Sequence, residues 1–178
     1  MPIFATPNRF WYYFFSDMRR LDRLQRILIA FFLWMGLLTL TLRFIGFEST
    51  GSGQVRWTGF DVLSSILRGS PSKPVPPMPS WAGTGMFGVW DPLYVIGVVT
   101  GYASLAVCAF AIVFQPLRRL IRLAGPVGAF AAYTCLGRSN LYAFDYYIHG
   151  VHAGVGPLML AIILIVIWLI ADVNVVPD

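Results

Sequence analysis

Charge is scarce in this chain. Only 12% of its 178 residues are Asp, Glu, Lys or Arg, about half the roughly 25% of a soluble globular domain. That shortfall excludes an ordinary water-facing surface, and also a disordered chain, which needs high charge and low hydrophobicity. Cysteine is scarce as well: two residues cannot staple a small secreted scaffold, which depends on several disulfides. Histidine is confined to positions 149 and 152. There is no HExxH, CxxC or CxxCH spacing, no P-loop, no nucleophile elbow and no dinucleotide fingerprint. No internal repeat is present.

What fills the chain instead is apolar. Hydrophobic residues make up 57% and aromatics 16%, with a mean hydropathy of +0.70. A bilayer core about 30 Å thick needs around 20 apolar helical residues, because nothing there but the chain itself can satisfy peptide groups. Ile27–Leu42 is one such run, extended past a snorkelling Arg43 through Phe44–Phe47. Leu93–Phe114 is a second, with Pro92 at a favourable first-turn position, and Ala153–Ala171 a third. Leu120–Leu136 is shorter and holds Arg122 and Pro126. If it crosses, there are four spans; if it lies flat, three.

The small residues Gly125, Gly128, Ala131 and Ala132 favour crossing, since they let helix backbones approach closely. Gly97 and Gly101 form a GxxxG of the same kind in the second run. The expected fold is therefore an all-α integral membrane protein. Its spans lie near 27–47, 92–114, 120–137 and 153–171, with an outer loop over 48–90. Residues 27–178 form the transmembrane domain, and residues 1–26 an amphipathic helix on the cytoplasmic surface. No cleavable signal peptide is expected, because no A-x-A site follows the first run.

Thirteen basic residues against eight acidic give a net charge of +5, an excess that a nucleic-acid-binding protein would also show. Position decides against that partner. Arg19, Arg20, Arg23 and Arg26 precede one apolar run, and Arg118, Arg119 and Arg122 follow another, as the positive-inside rule requires of cytoplasmic segments. The expected location is thus the cytoplasmic (inner) membrane of a prokaryote, with the N-terminus inside. On a helical wheel, Phe10, Trp11, Phe14 and Phe15 share one face and Arg19, Arg20 and Arg23 another, the pattern of an interfacial helix. Such a helix also suits docking to a partner subunit. Trp81 and Trp90 fit the outer interface, and the proline-rich stretch between the first two runs favours extended polyproline II.

Between the same two runs, QVRW alternates like a short strand, and Thr58-Gly-Phe-Asp61 resembles a capping box opening a helix that ends at Gly69. The richest polar cluster is residues 139–154. If that stretch is helical, Asp145, His149 and His152 come together at i, i+4 and i+7. His149 or His152 could then ligate a haem or a chlorophyll-type pigment, or the three a metal; alternatively, they contact headgroups, water or a partner chain.

Three functions follow. The first is a non-catalytic, accessory or assembly subunit of a larger membrane complex, with lipid and other membrane subunits as partners and lipids bound. The second is a haem- or pigment-binding subunit of a photosynthetic or respiratory complex. The third is an interfacial lipid-modifying enzyme with Asp145 or a histidine as general base.

Overall fold

A computed structural model describes residues 21, 23–49, 53–70, 92–114, 118–145 and 151–172. In chain order these form α1 (Arg23–Leu38), a 3-10 turn (Thr39–Thr41), β1 (Arg43–Ser49), β2 (Gly53–Thr58), α2 (Gly59–Arg68), α3 (Pro92–Val113), α4 (Arg118–Asp145), β3 (Val151–Ala153) and α5 (Gly156–Asp172). The described residues are mostly helical. Three segments, Arg23–Thr41, Pro92–Val113 and Arg119–Gly137, are long and apolar enough to cross a membrane. The 17-residue α5 is a shorter apolar helix.

α4 lies between α3 and α5, while α1 packs on α5 and α3. Ile29, Leu105, Cys108, Ile121, Leu164 and Ile167 fill the space between them. The outward faces stay apolar as well: Phe31, Trp34, Phe110 and Ile162 are exposed, and Phe130 is 70% exposed. Such a surface is compatible with an integral membrane protein, where lipid replaces water against the side chains.

The all-α expectation needs correction. A three-stranded antiparallel sheet of order β2-β1-β3 sits at one end of the helices. Residues 43–47, expected to extend the first span as helix, are its central strand, and Ala153, expected to open the last span, belongs to β3. The cause is local chemistry followed by tertiary pairing. Thr39 Oγ1 donates to Gly36 O at 2.6 Å and Thr41 Oγ1 to Leu38 O at 2.8 Å. Hydroxyls that bond back in this way compete with a helix's own ladder. Leu42 then turns extended (φ −77°, ψ 153°), and the following peptide groups find partners in β2 and β3. A membrane-spanning helix would have had to satisfy them within itself.

The β1–β2 register shifts between Arg43 and Ile45, leaving Phe44 as an extra residue on β1. A bulge of this kind re-aims a side chain. Phe44 and its neighbour Ile45 are consequently both buried, and the Phe44 ring stacks on Tyr102 of α3, centroids 6.0 Å apart.

The capping box holds as read. Asp61 N donates to Thr58 Oγ1 at 3.3 Å, Thr58 N donates to Asp61 Oδ2 at 2.9 Å, and Gly69 closes α2 in the left-handed conformation with φ 65°. QVRW lies in β2. Toward the C-terminal end of α4, Gly137 is exposed, and a Cβ there would meet nothing within 4 Å. Gly137→Ala is expected to stabilise the protein by ~0.5–1 kcal/mol through reduced unfolded-state freedom, measured as a rise in the unfolding midpoint in detergent micelles.

Candidate functional site

The segments named from sequence fall in four places. Phe10, Trp11, Phe14, Phe15, Arg19, Arg20, Trp81 and Trp90 lie outside the described residues, as does His149. Arg23 opens α1 and is exposed. Asp145 closes α4, and His152 lies in β3, its backbone paired with Gly46 of β1. The single helix needed to hold Asp145, His149 and His152 on adjoining faces is therefore not formed, because strand pairing takes residues 151–153. Among the described residues, no cluster of three His, Cys, Asp or Glu side chains could hold a metal ion.

The glycines come together. A Cβ on Gly97 would overlap Cys135 Sγ of α4 and stand 2.7 Å from Ala131 O. On Gly128 it would overlap Ser104 of α3 and approach Leu164 of α5 to 3.0 Å. Gly101 and Gly125 face α5 in the same manner, a Cβ meeting Leu160 at 3.0 Å and Trp168 at 2.6 Å. α4 is thus a hub with a small-residue face on each side, and the GxxxG of α3 meets a helix of its own chain. Close backbone approach of this kind drives helix association in lipid, where no hydrophobic force acts between helices.

Two polar sites were not foreseen. At the far end from the sheet, Gln25 Nε2 donates to Ile170 O at 2.9 Å and Arg122 Nε lies 3.0 Å from Asp172 Oδ1. Both act on the last turn of α5. One serves a carbonyl of the kind a helix end leaves open; the other offsets an acid placed at the negative end of the helix dipole.

Beside the sheet, Thr39 Oγ1 and the Tyr102 hydroxyl are 3.1 Å apart. Thr39 already donates to Gly36 O, so the tyrosine donates to the threonine. A threonine in the middle of a greasy run was the visible signal for this site; its tyrosine partner, 63 positions away, carried none. Tyr102→Phe is expected to cost ~1 kcal/mol, and a double-mutant cycle with Thr39→Val, read by unfolding in micelles, to show coupling of about 0.5–1.5 kcal/mol.

The ends just described are built for joining elements of the chain. Gln25, Thr39 and Ser65, three of the buried polar residues, each donate to a backbone carbonyl. Comparison with protein-family models, curated proteins and solved structures finds no match to this chain.

Proposed function

We propose that this is a four-span protein of a prokaryotic inner membrane, with both termini cytoplasmic, acting as a non-catalytic accessory or assembly subunit of a larger membrane complex. One observation carries the role: in the described helices that pack together, Asp, Arg and His are absent from the middles. Arg23, Arg26, Arg119, Arg122 and Asp172 stand within the first or last turns at one end, and Arg138 and Asp145 toward the other end of α4. Transporters and intramembrane enzymes place ionisable groups inside, where they are costly and kept for chemistry. A close-packed, charge-free interior suits a subunit whose work is shape and contact.

The fourth crossing is supported by direction. α4 ends and α5 begins on the side of the sheet, and α5 returns to place Asp172 beside Arg122 at the start of α4. Seventeen helical residues rise about 26 Å, close to the thickness of the hydrocarbon core. The basic ends of α1 and α4 share that inner side, in keeping with cytoplasmic orientation.

Two experiments test the reading. An impermeant maleimide added to intact cells should label a cysteine introduced at Arg138 and not one at Asp178; the reverse pattern means three crossings. Extraction in mild detergent followed by native mass measurement should find the chain with other membrane subunits, and a lone monomer would remove the accessory role.

A further inference from the structure

The segment between the first two spans was expected to stand outside the bilayer, and among the described residues nothing covers the apolar side of its helix α2. Phe60 is 63% and Leu67 80% exposed, with Leu63 between them packed partly on the core. These positions, at i, i+3 and i+7, form one stripe. The opposite side, Gly59, Val62 and Ser65, is buried against the 3-10 turn and α3.

Two rulers fix its level, given that α1 and α3 cross the membrane as proposed above. Gly59 N donates to Leu42 O at 3.1 Å, and α1 with its 3-10 turn is about 30 Å long, so α2 begins at the outer edge of the hydrocarbon. A Cβ on Gly59 would lie 2.7 Å from the Tyr102 hydroxyl. Tyr102 is ten residues inside α3; helical side chains lean back toward the N-terminus, which puts the hydroxyl roughly 10 Å below that end. α3 is already apolar and exposed there, at Leu93 and Ile96.

The two levels bracket the depth of roughly 5–10 Å at which amphipathic helices lie. α2 is also equipped to leave water. Its capping box satisfies its first turn, and Ser64 and Ser65 donate to Asp61 O and Val62 O at 3.0 Å each. Arg68 and Gly69 close it at an exposed end, from which a guanidinium reaches headgroups.

We infer that α2 is seated in the outer leaflet, with Phe60, Leu63 and Leu67 against lipid acyl chains, so that the supposed outer loop is in part a membrane-embedded cap on α1 and α3. The full-length protein, reconstituted in phosphatidylcholine–phosphatidylglycerol vesicles, carries a nitroxide at Phe60→Cys, Leu67→Cys or, as a marker for α3, the exposed Val99→Cys. Cys108 and Cys135 are fully buried, and the unsubstituted chain serves as the blank.

At positions 60 and 67, as at 99, the oxygen-to-nickel collision ratio should exceed that of a water-exposed label by about tenfold, because a polar chelate is excluded from hydrocarbon. Phe60→Trp and Leu67→Trp, quenched by brominated lipid beyond the parent chain, repeat the test without a thiol. Nickel access at 60 and 67 with oxygen access at 99 overturns the inference and leaves the spanning reading intact. Exclusion of both reagents from 60 and 67 places protein there and also overturns it. Nickel access at 99 removes the spanning reading of α3 itself, and this inference with it.

Discussion

Gly128→Leu is expected to destabilise the protein by about 3 kcal/mol or more, at the upper end of what overpacking costs. The reason is the absence of slack on either side. A Cβ at this position already overlaps Ser104 and comes within 3.0 Å of Leu164, so three further carbons have no volume to enter unless α3 or α5 moves away from α4. Lipid offers no hydrophobic gain to reclose the seam once it opens; helix contact in a bilayer is held by close packing. Unfolding in mixed micelles, followed by circular dichroism and by size-exclusion profile, measures the effect. The neighbouring exposed Val127 supplies the control. Val127→Leu places the same leucine side chain on the same turn, at an exposed position, and should move stability by less than ~0.5 kcal/mol. Equal losses at the two positions would mean that the seam does not exist as described.

Gly154→Ala should be nearly as damaging, at ~2–3 kcal/mol for a single methyl group. The new carbon would overlap the Arg43 carbonyl and lie 2.7 Å from the Phe44 carbonyl carbon. Both are backbone, so neither can swing aside as a side chain would. The collision falls where Gly154 N donates to Phe44 O at 2.9 Å, the bond that continues the β1–β3 ladder toward α5. Loss of that pairing should appear as faster hydrogen exchange at β1 amides, with α3 and α4 unaffected. Exchange that stays slow at β1, together with unchanged stability, would count against the junction. The contrast with Gly137→Ala is instructive, since one substitution on two glycines is expected to give opposite signs.

Residues that satisfy themselves locally were readable from the chain. The box at Thr58 and Asp61 and the terminator at Gly69 act within a few positions of one another, and the apolar runs declare their helices by length. The same holds for Gly97, Gly101, Gly125 and Gly128, whose spacing advertises close approach even though it cannot name the facing helix. What was hidden depends on partners far along the chain. The ending of α1 was masked because Phe44, Ile45 and Phe47 read equally well as hydrocarbon-facing helix or as strand. Only the pairing of β1 with residues 53–58 and 151–153 separates the two. The strand at His152 was hidden for the same reason: its spacing from Asp145 suits a helix, and pairing with Gly46 decides for the strand. Tyr102 and Gln25 looked ordinary, since a hydrogen bond to Thr39 or to the Ile170 carbonyl leaves no trace in spacing.

The middle strand carries a consequence for biogenesis. Ile45 has one neighbour, Trp57, twelve positions on, and another, Ala153, more than a hundred positions on. As the ribosome extends the chain, the first edge can zip at once, whereas the second stays open until α3, α4 and residues 151–153 have been made. During that interval the nascent protein presents an unsatisfied strand edge, a feature that invites mispairing. A slow or failed arrival of residues 151–153 would therefore be an assembly defect long before it became a defect of stability, and quality-control proteases would have a defined place to grip.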